Sequence, residues 1–442
     1  MEHQKGSLKS TITVSLTNYL DAGSIVAGAS GLALWQSYLG LTPANLSWLN
    51  AISANCFGAA LGAIIGGRLA DKYGRKAIYS RNMLIYMLGV AIIMCSVNFP
   101  MLLIGFLITG ISVGIGVPPS WTYISETSEA TNRGRNIGIS QLAWSVGPAI
   151  IFLFGWLVSP TGPLGNAVRT LGMFILQTKD DVSLNLFGNR LIFFTLFLVA
   201  FTAWLLQRRL HESAEWVEQK TQDTGKTQRH SYRELLTNPI NIRAIVFLVT
   251  MYILWNFVAG AMGFFMPYVY ETAGGLSNET ANFLQMAMWG LTAFFSYFGF
   301  ALLADKVNQR FLYAFGTVFG VAAWAVLTYI GIKDTTALWA FVILWGLHAG
   351  FGVQAFYALW ASELFHARYR AAAQGLMFFL VRGGAAIWSF VFIYIYESAG
   401  FYTAGNIMVF LMAAILIVGT LWAPNTRGKT LKQISEERYG KE

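Results

Sequence analysis

The chain has 442 residues, a formal net charge of +9, 55% hydrophobic residues and only 12% charged ones. That apolar share is more than a soluble domain of this length can bury, so the composition excludes a soluble globular protein and points to one that spans a bilayer. The positive charge does not indicate a nucleic-acid partner, because the basic residues collect in the loops on one side of the apolar runs.

Taken in chain order, the N-terminal stretch MEHQKGSLKS is polar, and no cleavage site follows the first apolar run, so no signal peptide is expected. Runs long enough to cross a hydrocarbon core of roughly 30 Å lie at 13–37, 46–70, 77–97, 99–124, 135–158 and 186–207. A second set lies at 241–270, 280–303, 309–331, 336–362, 370–396 and 402–423. Each is expected to be a helix, since a segment in lipid must satisfy its own backbone hydrogen bonds. The expected organisation is a bundle over 1–207, a polar linker over 208–240, a bundle over 241–423 and a tail over 424–442. Lys72, Arg75, Lys76, Arg133, Arg135, Lys306, Arg310, Arg368 and Arg370 fall between spans on the side that also holds the linker and tail. The opposite side holds only Arg169, Lys179, Arg190 and Lys333. The positive-inside rule then places both termini in the cytoplasm and the protein in a cell (inner) membrane. The loop at 159–185 is the longest on the outer side and is expected to form a small cap without chemistry. Cys56 and Cys95 both sit in apolar runs and read as buried thiols.

Two landmarks occur twice. LADK stands at 69–72 and again at 303–306. Ile124-Ser125-Glu126 is followed by Arg133, and Ala361-Ser362-Glu363 by Arg370 at the same spacing. The chain therefore reads as two parallel six-span repeats, the sign of a transporter whose halves rock around a central site. Asp71 and Asp305 mark the inner ends of spans 2 and 8, with Arg75 and Arg310 just beyond. These carboxylates and guanidinia, with Glu126, Arg133, Glu363 and Arg370, form a candidate inner gate that pairs when that side closes. The plainer alternative is that the charges only anchor helix ends and set topology.

GGRLADKYGRK (66–76) resembles the signature between spans 2 and 3 of the major facilitator superfamily. PPSWTYISETSEATNRGRNIG (118–138), HESAEW (211–216) and PNTRGKTLKQI (424–434) resemble motifs of its sugar porter branch, the second lacking the prolines usual there. The resemblance covers nearly the whole chain. It implies an all-α membrane protein with twelve transmembrane helices in two pseudo-symmetric six-helix bundles, the major facilitator fold.

Asp21 lies within span 1, where a carboxylate is costly unless paired, protonated or wet. Proton-coupled sugar porters carry an aspartate there, so the resemblance implies that Asp21 takes the proton; the alternative is an aspartate in a watery vestibule. The Arg that partners it on span 4 in those porters is Phe106 here. At roughly 1.5 Å per residue, Arg382 lies about 18 Å along its helix from Arg370, near the midplane, where the family has a Trp. A buried guanidinium must find an anion. Either Arg382 pairs with an internal carboxylate, Asp21 being the candidate, or it holds a negative group of the substrate. Gln141 matches a family glutamine that contacts sugar hydroxyls, and Asn256 stands at the first of the family's paired glutamines. The second of that pair is Phe257, and a further family Asn is Met262. Gln354, Tyr357, Trp388 and His348 complete the candidate substrate residues.

The expected function is proton-coupled uptake of a small polar organic solute, with a sugar acid or related anion favoured through Arg382. The alternative is symport or uniport of a neutral sugar or polyol, with Arg382 tuning Asp21. There is no GxxxxGK[ST] phosphate loop, metal cluster or catalytic triad pattern, so neither ATP hydrolysis nor enzyme activity is expected. The energy source is the proton gradient, with no cofactor and no metal. The expected partners are the solute, protons and lipid, without nucleic acid, and a monomer is expected.

Overall fold

In the apolar runs the backbone closes its hydrogen bonds within each segment, and no strand occurs among the described residues. The computed structural model describes residues 8–54, 56–213, 216–218 and 233–440. Span 1 is Leu8–Ser30 continued after Gly31 by Leu32–Leu39, and span 2 is Pro43–Ile52 continued by Phe57–Tyr73. Spans 3 to 6 are Arg75–Met94, Phe99–Thr127, Arg133–Val158 and Asp181–Gln207. Span 7 is Pro239–Thr272, and span 8 is Asn278–Phe295 ending in a π-helical turn, Ser296–Ala301. Span 9 is Gln309–Tyr329, and span 10 is Thr335–Phe351 continued past Gly352 by Val353–Glu363. Spans 11 and 12 form one helical run, Arg370–Trp422, folded back at Gly400, whose φ of 79° suits glycine. Among the described residues nine helices are long and apolar enough to cross a membrane. That last run supplies two crossings, and spans 1 and 8, which carry more polar residues, bring the total to the twelve of the family fold.

Local chemistry sets the helix starts. Thr42, Asn98, Asp180, Ser277 and Asp334 each accept a hydrogen bond from a first-turn amide. At Asp180, hydrogen bonds from Ser183 hold the carboxyl below its ordinary range. The loop between spans 5 and 6 contains an amphipathic helix, Gly165–Leu176, with Leu171, Phe174 and Ile175 exposed. Cys56 is buried, but Cys95 is exposed, correcting the expectation of two buried thiols: Cys95 closes span 3 at the end remote from the basic loops, where the helix stops and the chain turns. Much of the linker lies outside the described residues. Its last part begins a short helix before Asn238 caps span 7.

Spans 1 to 6 form one bundle and spans 7 to 12 the other. The bundles meet where span 2 packs on span 11 and span 5 on span 8. Small residues bring these pairs together at the end that carries the basic loops. A Cβ on Gly67 would stand 2.5 Å from the Ala371 carbonyl oxygen, and one on Gly375 would stand 2.3 Å from that of Ala63. Across the other interface, a Cβ on Gly138 would stand 2.6 Å from the Ala301 Cα. Towards the opposite end the contacts between the bundles run through side chains: a Cβ on Gly155 would stand 3.7 Å from the Asn282 side chain, and Asn50 donates to Ser389 at 2.9 Å. The structure is thus closed at the basic end, and its central cavity lies beyond that closure.

Candidate functional site

The closure is built from the repeated motifs. Arg75 Nη1 lies 3.3 Å from Asp71 Oδ1, and Arg75 Nη2 lies 2.8 Å from Glu126 Oε1. Glu126 Oε1 also takes Arg370 Nη1 at 3.2 Å, from the other bundle. In the second half, Arg133 Nη1 donates to Glu363 Oε1 at 2.8 Å and to the Lys429 carbonyl of the tail at 3.3 Å. Arg310 donates to the Ala423 carbonyl at 3.0 Å, within its own bundle, so its bond is to a carbonyl where Arg75 meets carboxylates.

The two LADK aspartates share one further role. Asp71 Oδ2 accepts from the amide of Ala372, in the first turn of span 11, at 2.8 Å. Asp305 accepts from the amides of Gly134 and Arg135, in the first turn of span 5, at 2.9 and 2.8 Å. Each carboxylate therefore caps a helix of the opposite half, where the positive end of the helix dipole favours a negative charge. Burial pushes the Asp305 carboxyl up, while the Arg135 and Gly134 amides and the Arg133 charge pull it down. Glu212, within the HESAEW motif, takes the amides of Arg75 and Lys76 at 3.0 Å each and so caps span 3. The motif was legible in the sequence, but its capping role was not.

Between the bundles lies a cavity lined by Ile25, Trp144, Trp255, Asn256, Trp289 and Arg382 among others. Asp21, fully buried, stands behind this wall. Its Oδ2 accepts from Trp144 Nε1 at 3.0 Å and lies 3.6 Å from Arg382 Nη2. The Arg382 guanidinium rests over the Phe378 ring, 4.8 Å from its centroid. Span 1 and span 11 thus contribute opposite charges to one pair that joins the two bundles. Phe106, at the place where the resembling family carries an arginine, instead packs edge-on against Phe193 and touches Gly28.

Three indoles surround the cavity. Trp144 meets Trp289 at 5.3 Å and Trp255 at 6.3 Å between ring centroids. On the basic side of the cavity, Tyr252 stacks on Tyr357 at 3.9 Å, and Trp121 stands edge-on to Tyr357 and Phe378 at 5.8 and 5.9 Å. This aromatic floor separates the cavity from the charged closure.

The other candidate residues are distributed unevenly. Asn256 lines the cavity and donates to the Tyr252 carbonyl at 2.8 Å. It also borders a tightly packed side pocket with Asn50, Cys56 and Ser389. Trp388 belongs to that pocket, where it stacks on Phe257 at 4.9 Å and donates to the Phe257 carbonyl at 2.7 Å. Tyr357 is part of the floor. Gln141 and Gln354 are buried, on span 5 and on the second helix of span 10, outside the cavity lining. His348 lies elsewhere: its Nδ1 donates to the Gly316 carbonyl at 3.0 Å, and the ring packs against Trp345 and Gly320 between spans 9 and 10. Sequence reasoning passed over Trp144, Trp255 and Trp289. Trp144 stands less than a turn from Gln141, and Trp255 is next to Asn256, the only signals available among 15 tryptophans.

Comparison with known proteins agrees with this architecture. The model of the Major Facilitator Superfamily matches residues 12–389. The minor myo-inositol transporter IolF of Bacillus subtilis (strain 168) is 41% identical over 443 residues, covering 98% of this chain and 94% of that protein. The arabinose-proton symporter of the same organism is 25% identical over 406 residues, covering 87% of this chain and 85% of its own length. The solved structure of the proton:xylose symporter XylE bound to 6-bromo-6-deoxy-D-glucose matches with a TM-score of 0.74 at 18% identity, covering 98% of this chain and all of that one, a likeness of fold.

Proposed function

This chain belongs to the Major Facilitator Superfamily as a sugar porter-like transporter rather than an enzyme, and on that premise we propose that it imports a neutral cyclic polyol or sugar together with a proton. In this reading the basic face is cytoplasmic, both termini lie there, and the bundles alternate between outward and inward access across the cell membrane.

The observation that carries the proposal is the pair of Asp21 and Arg382 at the cavity. Paired, the two charges cancel, and the cavity presents no net charge to a solute. A proton on Asp21 removes its half of the pair and loosens this ionic tie between the bundles. The guanidinium then needs oxygen partners, which the hydroxyls of a polyol supply. Proton and solute each make the other's binding more favourable, the thermodynamic requirement for coupling. The name of the 41% identical relative, a myo-inositol transporter, supports the neutral class over the sugar acid favoured by the sequence reading. A second reading keeps the acid: Arg382 itself lines the cavity, so a substrate carboxylate can replace Asp21 when the latter is protonated.

The test is uptake into proteoliposomes of radiolabelled myo-inositol, D-glucose, L-arabinose and D-glucuronate, with and without an inward proton gradient. Expected is gradient-stimulated uptake of a neutral compound that Asp21→Asn abolishes while solute exchange at equal pH survives. Gradient-stimulated uptake of D-glucuronate alone would replace the neutral reading by the acidic one. Uptake indifferent to the gradient would make the protein a uniporter.

A further inference from the structure

Of the three indoles around the cavity, Trp144 spends its N–H on Asp21. The other two do not have such a partner. Trp255 and Trp289 are 3% and 4% exposed and line the cavity, and neither Nε1 has an acceptor among the described residues. A buried indole N–H normally finds one; those of the buried Trp35 and Trp360 do. An orphaned N–H is not in itself the mark of a site, since Trp324 and Trp345 also lack acceptors. Those two pack on each other at 6.2 Å within the second bundle and line neither the central cavity nor the side pocket. What sets Trp255 and Trp289 apart is that each orphan donor belongs to a wall of the central cavity. One turn outward of Trp289 on span 8, behind the cavity lining, stands Gln285, 1% exposed, with neither amide atom partnered among the described residues.

We infer that Trp255 and Trp289 are substrate-binding residues whose indole N–H groups donate to hydroxyl oxygens of a cyclic polyol or pyranose, with Gln285 as a further amide ligand on the outer side. The inference rests on the proposed function above and assigns residues that neither the motifs nor the repeats single out. An indole offers two complementary surfaces to such a ring. Its π face carries negative charge density and suits the polarised C–H bonds of the ring face, and its N–H edge suits the oxygens. A buried donor left without an acceptor keeps the full cost of losing its water. A polyhydroxylated solute answers that cost, whereas an apolar one leaves it standing. The arrangement therefore selects for hydroxyl groups at two positions on the ring, one before each indole.

The experiment compares wild type with Trp255→Phe, Trp289→Phe and Gln285→Leu, each of which keeps an apolar body and removes the hydrogen-bonding atoms. The probes are myo-inositol with its monodeoxy derivatives and D-glucose with its monodeoxy derivatives, their Kd values read by calorimetry on purified protein. Expected is a weakening of the parent compound by about 3–10-fold in each variant. For at least one ring position, the several-fold preference of wild type for the hydroxyl over the deoxy compound should collapse towards unity in a single variant. A merely structural role would weaken parent and deoxy compounds by the same factor, and that result overturns the inference. Should a tryptophan variant fail to fold, Gln285→Leu and the remaining tryptophan variant decide it by the same criterion. If wild type shows gradient-driven uptake while every variant keeps the full deoxy discrimination, the inference falls alone and the proposed function stands. If wild type binds the polyol without proton coupling and the discrimination collapses as expected, the inference stands and the coupling falls. Failure of wild type to bind either parent compound removes the substrate class and the inference with it.

Discussion

Asp21 and Arg382 reach each other from helices of different bundles, both essentially excluded from solvent. Removing one partner of a buried pair costs about 3–5 kcal/mol, because the other charge is left without an answer. Arg382→Gln and Asp21→Asn should each lower the ligand-free melting temperature. The double variant Asp21→Asn/Arg382→Gln should lie well above the sum of the single losses, as fluorimetric melting will show; simple additivity would mean that the two charges act independently. Both residues were legible in the sequence, since a charge inside an apolar run stands out. Their choice of each other was not, because sequence reading left open whether Arg382 served a carboxylate of the chain or of the solute. The tryptophans were not legible at all. In a membrane helix an indole facing a cavity and one facing lipid have the same apolar neighbours, and only the packing of span 5 against spans 7 and 8 separates them.

At the scale of helices, the Gly-rich runs at 58–67 and 110–119 lie against neighbouring backbone: a Cβ on Gly62 would stand 2.0 Å from the Ile111 carbonyl oxygen, and one on Gly114 would stand 2.0 Å from that of Ala59. Gly67 makes the same kind of approach between the bundles, its backbone meeting that of Ala371 across the interface. Gly67→Val should exclude the closed state at the basic end and shift the population towards one open on that side. A drop in uptake of about 10-fold corresponds to roughly 1.4 kcal/mol of such bias. The check is alkylation of Ala372→Cys from the basic side in inverted vesicles, expected to speed up in the Gly67→Val background; unchanged alkylation would show that the interface yields locally instead. The irregular segments were beyond sequence reading. Span 2 breaks between Ile52 and Phe57, and span 8 ends in the π turn Ser296–Ala301, where Ser296 shares a hydrogen bond with Ser145 of span 5 at 3.2 Å. A single extra residue in a helical turn leaves no trace in an apolar pattern, because only the neighbouring helix decides whether it is accommodated.

For the molecule as a whole, the repeated LADK and Ser-Glu landmarks revealed two equivalent halves, and the distribution of Lys and Arg is the basis of the proposed orientation. That orientation makes Cys95, exposed at the end of span 3 remote from Arg75, reachable from outside the cell, while Cys56 is buried. A membrane-impermeant maleimide added to intact cells should label the wild type and not Cys95→Ser. Labelling that requires permeabilised cells would reverse the orientation. What the repeat did not reveal is that the halves complete one another: similarity within a chain shows which positions are equivalent, not which ones touch.

The crossed capping has a consequence for inheritance. Asp71 closes the start of span 11 and Asp305 the start of span 5, so each half holds the end of a helix it does not encode. A change in one motif cannot be offset by a second change nearby in the same half; the compensating position lies in the opposite one. Recombination at the linker, joining a first half from one transporter to a second half from another, would separate both caps and the Asp21–Arg382 pair from their counterparts at a single crossover. The two halves are repeats in form, but they are bound to vary as one lineage.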